Sequence, residues 1–221
     1  MQVLGWLPEA LVSTRGARAD NTLYLTFDDG PDRACTPVLL DLLREHHAHA
    51  SFFLVGRQVA RHPELVQRMV DEGHRLGNHS YTHPSFGKLS LARQLEEIDA
   101  TDRLLAAFDG VRQHRFRPPR GVFSLALTLH SAARGRNLTY WSYNSMDYLR
   151  RPPAELIKRM REVPPRPGEV ILMHDDGDCS IRVLETLLGE WKAAGFRFCA
   201  LPQARSTGKR LASHATSSSA G

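Results

Sequence analysis

The order of strand-like and helix-like segments predicts an α/β protein whose parallel strands close into a barrel. Short apolar runs typical of buried strands alternate with segments that have the 3.6-residue period of an amphipathic helix. Seven strand-like segments occur, and such a series favours a (β/α) barrel. A chain of 221 residues with 42% hydrophobic residues suits one domain of this kind.

In the first half of the chain, three strands and three helices are predicted in alternation. Apolar, β-branched or aromatic runs predict the strands, and one apolar face predicts each helix. Gly73 ends the second helix and Ser90 caps the third, because glycine favours a helix C-terminus and serine an N-cap. The predicted strands are 22–27, 50–55 and 74–78, and the predicted helices are 36–47, 57–72 and 90–108.

The second half continues the alternation and then loses it. Residues 1–20 are predicted to lead into a single domain at 21–202. From residue 203 onward the Ser, Thr and Ala content rises and periodicity disappears, which predicts a disordered tail over 203–221. The predicted strands or extended segments are 116–119, 138–143, 169–174 and 196–201, and the predicted helices are 123–134, 154–162 and 181–194.

Charge and hydropathy exclude two classes of partner. The net charge of +5 and the pI near 9.4 make the chain modestly basic. Its basic residues are scattered apart from short pairs such as Arg150-Arg151, and no stripe of basic and aromatic residues occurs. A nucleic-acid partner is therefore not expected. No stretch approaches the roughly 18 apolar residues of a transmembrane segment.

The three cysteines, Cys35, Cys179 and Cys199, are widely spaced and form no Cys-x-x-Cys motif. Neither a disulfide framework nor a thiolate zinc site is predicted. Reduced cysteines favour the cytoplasm. No basic region precedes the apolar patch near the start, so no signal peptide is predicted. A cytoplasmic location is the expectation, with secretion or the periplasm left open. The sequence does not determine the oligomeric state, and a monomer is favoured.

Two adjacent carboxylates, Asp28 and Asp29, follow directly after the first strand, and a Gly-Pro pair forces a turn behind them. Like charges at a strand end need a cation or a shared proton. His79 and His83 follow the third strand, and one Asp with two His suits a borderline-soft divalent ion such as Zn²⁺. A strand-end Asp alone is as often a turn cap. The histidine pair favours the metal site.

Arg117 and His174 also stand at strand ends. Taken alone, Arg117 before Pro-Pro is typical of a surface residue, and a strand-end His is more often structural than catalytic. Parallel α/β folds place their chemistry at the C-terminal ends of their strands. The recurrence of such residues at the ends of independent segments therefore favours a single site.

Five motifs occur in order along the chain: TFDDGP (26–31), HSYTH (79–83), FRPPRG (116–121), WSYNSMDY (141–148) and ILMHD (171–175). Together they resemble the polysaccharide deacetylases, which are carbohydrate esterase family four and are also called the NodB homology domain. The motifs follow the family's order and span most of the chain. The resemblance implies a distorted, incomplete (β/α) barrel and a metal-dependent hydrolase that removes acetyl groups from N-acetylated sugars.

The same resemblance implies roles for the residues that match the motifs. It identifies Asp29, His79 and His83 as the ligands of one divalent ion. Zn²⁺ is expected, with Co²⁺, Mn²⁺ or Ni²⁺ as alternatives. Asp28 is implied as the general base, and Arg117 is implied to orient it.

Further implied roles concern the leaving group and the substrate. His174 is implied as the general acid, and Asp147 is implied to hold its imidazolium form. The resemblance also implies a backbone N–H donor for the oxyanion and three substrate contacts. These are Arg120 for the oxyanion, and Tyr148, Leu172 and Pro119 for the substrate.

Three residues depart from the family's pattern. Arg120 replaces an aromatic residue, Asn144 stands where many members have an acid, and Tyr148 replaces Trp. They bear on substrate contact more than on the reaction. The implied substrate is an N-acetylglucosamine-containing oligo- or polysaccharide of the chitooligosaccharide type. An acetylxylan-type O-deacetylase and a catalytically silent carbohydrate-binding relative stay open as alternatives, and the intact set of site residues argues against the silent one.

Overall fold

The computed structural model describes residues 12–16, 21–122 and 124–202. Within these ranges, six strands form the main sheet in the order β4-β3-β2-β7-β6, and β8 pairs with β2. Their pairings are all parallel. The strands are β1 (Val12–Ser13), β2 (Thr22–Asp28), β3 (Ser51–Leu54), β4 (Arg75–Asn78), β5 (Leu138–Thr139), β6 (Tyr143–Asn144), β7 (Val170–His174) and β8 (Arg197–Phe198).

Helices connect the strands and cover the outside of the sheet. The helices are α1 (Cys35–Glu45), α2 (Gly56–Arg61), α3 (Pro63–Asp71), α4 (Leu91–Asp109), α5 (Leu125–Ala133), α6 (Pro153–Glu162) and α7 (Cys179–Ala193). Ser90 caps the N-terminus of α4, where its hydroxyl accepts from the N–H of Arg93, and Ser124 caps α5 in the same way.

The sheet curls into an incomplete barrel. Phe116 bridges Asn78 at the end of β4 on one side and Leu138 in β5 on the other. Beyond β5 lies β1, and an antiparallel bridge between Arg15 and Glu169 brings this side back toward the start of β7. Among the described residues no strand ladder joins β5 to β6. The predicted α/β class and its distorted barrel are therefore confirmed.

Two predicted elements are wrong in detail. The helix predicted at 57–72 is divided into α2 and α3 at His62, whose φ of −133° and ψ of 55° are not helical. Pro63 explains the break, because a proline disfavours the helical conformation of the residue before it. The strand predicted at 138–143 is divided into β5 and β6, since Tyr140 N donates to Ser13 O whereas Ser142 N donates to Val170 O. The alternation of side chains in the sequence does not show that the backbone changes from pairing with β1 to pairing with β7 here.

The final strand is also shorter than predicted, because β8 has two residues. The predicted tail at 203–221 and most of the lead segment at 1–20 lie outside the described residues. In the part of the chain that the structure describes, no helix is long and apolar enough to cross a bilayer. The cysteines are free thiols.

The central strand β2 determines where the polar residues gather. All seven of its residues are buried. It pairs with β7 so that Asp28 lies beside His174, and with β3 so that Asp28 also lies beside Phe53. Because parallel strands end at the same edge, the C-terminal ends of β2, β4 and β7 open on one side of the barrel.

Candidate active site

The chain changes direction between the two carboxylates at the end of β2. Asp28 is the last residue of the strand and is buried. Asp29 follows with a φ of 78°, a left-handed conformation that is unusual for a residue other than glycine. As a result the Asp28 carboxylate meets Arg117, and the Asp29 carboxylate meets two histidines.

The two histidines are brought together by a turn and not by a helix. His79 follows β4, and the chain turns through Ser80 and His83, with φ of 68° and 57°. The Nε2 atoms of His79 and His83 lie 3.5 and 3.3 Å from Asp29 Oδ1. One ligand atom from each of the three residues lies within 4.8 Å of the others.

The surroundings of this cluster fit a divalent ion. Asp29 Oδ1 is buried and has no hydrogen-bond partner among the described residues. His79 Nδ1 lies 2.7 Å from the carbonyl oxygen of Arg117, which places the proton on Nδ1 and turns the Nε2 lone pair toward Asp29. Burial lowers the pKa of His79 to about 3, so the ring is neutral, as a metal ligand must be. One carboxylate and two imidazoles are a donor set that suits Zn²⁺.

Arg117 is fully buried beside Asp28. Its Nη1 donates to Asp28 Oδ1 at 2.6 Å and to Thr26 Oγ1 at 2.9 Å. Its remaining donors reach the carbonyl oxygens of Thr139 and Tyr140, each at 3.2 Å. Burial raises the pKa of Asp28, and the guanidinium opposes that effect. Arg117 therefore fixes one oxygen of Asp28 and leaves Oδ2 to accept a proton.

His174 and Asp147 form a second polar pair, beside Asp28 at the end of the neighbouring strand β7. His174 Nδ1 lies 2.9 Å from Asp147 Oδ1, and Asp147 Oδ2 accepts from the backbone N–H of His174 at 2.7 Å. The hydroxyls of Ser145 and Ser180 also donate to Asp147. Burial lowers the pKa of His174, but the bond and charge of Asp147 outweigh it and raise the pKa to about 9.

A cavity of about 330 Å³ joins these groups. Asp28 and the three candidate ligands line it, as do Arg120, Tyr148, Leu172 and His174. Arg117 and Asp147 are buried and are not part of its wall. Pro119 is also buried and does not reach the wall, so the structure does not bring this predicted substrate contact to the cavity.

Two further residues of the wall bear on substrate contact. Trp141 lines the cavity, and its indole Nε1 is buried without a hydrogen-bond partner among the described residues. Asn144 lines it as well, although its Oδ1 accepts from the N–H of Met146 at 2.9 Å. Sequence reasoning placed Trp141 in a motif without assigning it a role.

Glu97 of α4 is a residue of the site that sequence reasoning missed. Its Oε2 accepts from the N–H groups of Tyr81 and Thr82 at 2.9 and 2.7 Å, and its Oε1 accepts from Thr82 Oγ1 at 3.0 Å. It thereby holds the turn between His79 and His83. Nothing in the sequence separates it from its exposed neighbour Glu96.

An incomplete (β/α) barrel with a carboxylate–histidine cluster at its strand ends is typical of metal-assisted hydrolases. The family model described as "Polysaccharide deacetylase" matches residues 15–140. The chain is 34% identical over 197 residues to a chitooligosaccharide deacetylase of Bradyrhizobium sp. (strain ANU 289), with 82% of this chain and 90% of the relative covered.

Solved structures agree with the family match. The crystal structure of the Bc1960 peptidoglycan N-acetylglucosamine deacetylase superposes with a TM-score of 0.84 at 29% identity, covering 91% of this chain and 96% of that one. A CE4 family pseudoenzyme from Bacillus anthracis superposes with a TM-score of 0.78 at 27% identity, covering 89% and 69%. The chain belongs to the polysaccharide deacetylase family and is an enzyme of that family. The resemblance seen in the five motifs is confirmed.

The position of Glu97 generates a prediction about metal affinity. Glu97→Gln replaces one acceptor oxygen with an NH₂ group that faces backbone donors, so the turn between the histidines loosens. We expect zinc affinity, measured by competition with a chromophoric chelator, to fall about tenfold, the scale of outer-shell effects on metal sites.

The matched control is Glu96→Gln, which removes the same charge from an exposed residue one position away. It should leave zinc affinity unchanged. Equal affinities in the two variants would mean that Glu97 does not hold the ligands.

Proposed function

We propose that this protein is a metal-dependent N-deacetylase of oligosaccharides that contain N-acetylglucosamine, of the chitooligosaccharide type, and that it releases acetate. The observation that carries the proposal is one cavity faced by three kinds of group. These are the Asp29–His79–His83 cluster, a carboxylate held by Arg117, and a histidine held by Asp147. The names of the relatives, chitooligosaccharide and peptidoglycan deacetylases, support the same chemistry.

The two aspartates have separate tasks in this proposal. A divalent ion held by Asp29, His79 and His83 would supply the Lewis acidity that polarises the acetamide carbonyl and acidifies the attacking water. Asp28 takes the proton from that water through Oδ2, because Oδ1 is held by Arg117. The two carboxylates are neighbours in the chain but point to different partners.

Formation of the tetrahedral intermediate needs a donor for the oxyanion, and its collapse needs a proton for the departing amine. Arg120 lies at the cavity wall with a φ of 58°, and its backbone N–H is the proposed oxyanion donor. His174 gives its Nε2 proton to the nitrogen as the carbon–nitrogen bond breaks, because an amine leaves poorly unless it is protonated. Asp147 keeps that proton available at neutral pH by raising the pKa of His174.

The direct test is acetate release from tri-N-acetylchitotriose, with acetylxylan as the ester substrate. We expect hydrolysis of the chitotriose, loss of activity on chelation, and recovery when Zn²⁺, Co²⁺, Mn²⁺ or Ni²⁺ is added. Faster release from acetylxylan would favour an O-deacetylase instead. No release from either substrate with metal restored would favour a silent carbohydrate-binding protein.

The pKa of His174 generates a second prediction. Because the pKa is raised to about 9, the acid form persists through neutral pH and is lost as the pH rises through about 9. We expect kcat for chitotriose to fall over that range. Asp147→Asn removes the charge that raises the pKa of His174. The alkaline limb of the curve of kcat against pH should therefore move down by about one pH unit or more.

Asp178→Asn provides the matched control, since Asp178 lines a neighbouring wall, pairs with Arg182 and forms no hydrogen bond to the His174 ring among the described residues. Its alkaline limb should stay within a few tenths of a pH unit of the wild type. An unchanged limb in Asp147→Asn would remove His174 from the role of acid.

A further inference from the structure

A second, larger cavity adjoins the one that contains the candidate metal ligands. Its volume is about 720 Å³. Both cavities are lined by Asp29, Tyr148 and His174, so a glycan whose acetamide lies at the histidine cluster has room to extend past Tyr148 into the second cavity. Tyr148 is half exposed at this boundary, and its ring meets that of His174 edge to face, with the ring centroids 5.7 Å apart.

Arg150 and Arg151 line this second cavity. Both are exposed, and neither forms an ion pair with any acid in the described ranges. Arg182 lines the same cavity but differs, because its Nε donates to Asp178 at 2.7 Å. Two guanidinium groups are therefore available to a ligand there.

The acids of this cavity are mostly engaged elsewhere. Asp147 is bonded to His174, Asp178 is bonded to Arg182, and Asp29 belongs to the candidate metal site. Asp176 is the remaining acid of the wall, against the two arginines, Arg150 and Arg151, that form no ion pair among the described residues. The available charge on the wall is therefore positive.

The arginines are held near the catalytic groups by the backbone. Arg150 N donates to Asp147 O at 3.0 Å, so the loop that carries Arg150 is tied to the partner of His174. The carbonyl oxygen of Arg151 lies 3.8 Å from Cys179 Sγ, in the first residue of α7. Two prolines follow, and the second of them begins α6, which stiffens the loop.

We infer that this cavity binds an anionic group, a phosphate or a carboxylate, on the sugar next to the one that is deacetylated. The inference rests on the proposed N-deacetylase function and narrows its substrate from any oligosaccharide that contains N-acetylglucosamine to one that also carries an anion. Guanidinium groups recognise both anions through paired, charge-assisted hydrogen bonds. A neutral chitooligosaccharide would leave Arg150 and Arg151 without ligands, whereas an anionic glycan would use both.

The test compares three disaccharides: di-N-acetylchitobiose, its 1-phosphate, and N-acetylglucosaminyl-N-acetylmuramic acid. In zinc-loaded protein at low salt we expect kcat/KM for at least one anionic disaccharide to exceed that for the neutral one by about tenfold. Arg150→Gln with Arg151→Gln should abolish that preference and leave hydrolysis of the neutral disaccharide unchanged. Whichever anionic disaccharide is preferred identifies the anion.

The matched control is Arg103→Gln with Arg134→Gln, which removes the same charge from exposed positions outside the cavity. It should keep the preference. Equal rates on all three disaccharides, or a preference that survives in the Arg150/Arg151 variant, would overturn the inference while leaving the deacetylase assignment intact.

A binding measurement separates the inference from the proposed function. Calorimetric titration of the zinc-loaded protein with the same disaccharides does not require turnover. We expect the anionic disaccharide to bind about tenfold more weakly to the Arg150/Arg151 variant than to the Arg103/Arg134 control. Equal affinity in the two variants would overturn the inference even if no disaccharide is hydrolysed.

Discussion

Arg117 lies fully buried inside the barrel, where its guanidinium contacts both the candidate site and the strands around it. It bonds to Asp28 in β2 and to carbonyl oxygens at and beyond β5, and it lies 4.0 Å above the ring of Phe53 in β3. Its own carbonyl oxygen accepts from His79. A buried charge is costly unless it is paired and hydrogen-bonded, so the burial of Arg117 depends on these contacts. Asp28, the proposed proton acceptor, and His79, a candidate metal ligand, thus depend on the same residue.

The need to compensate buried charge also explains why the neighbouring residues Asp28 and Asp29 have different partners. Asp28 ends β2 and is directed into the barrel toward Arg117, whereas Asp29 has a left-handed backbone and faces the solvent-accessible cavity. One carboxylate is compensated by a guanidinium, and the other retains a buried oxygen without a hydrogen-bond partner. Two like charges this close need separate compensation, which Arg117 gives to Asp28 and a bound divalent ion would give to Asp29. On the neighbouring strand β7, Asp147 holds His174 charged, so the proposed base and the proposed acid end paired strands and line the same cavity.

The sequence predicted the order of the elements and the cavity residues better than it predicted long-range contacts. Apolar runs located β2 and β7 because both are buried, and their polar last residues indicated the site. Glu97 could not be selected, since its role depends on a turn 15 residues away in the chain. The division between β5 and β6 likewise depends on partners far along the chain. The catalytic roles and the cytoplasmic location stay predictions.

In the proposed mechanism Asp29 binds the metal and Asp28 accepts the proton from water, and zinc affinity in two variants tests this division most directly. Asp29→Asn should bind zinc at least tenfold more weakly, because it loses an anionic ligand. Asp28→Asn should keep zinc affinity within about threefold while kcat falls by roughly 10²- to 10⁴-fold, the contribution of a general base. Equal loss of zinc affinity in both variants would contradict the separation of the two carboxylates.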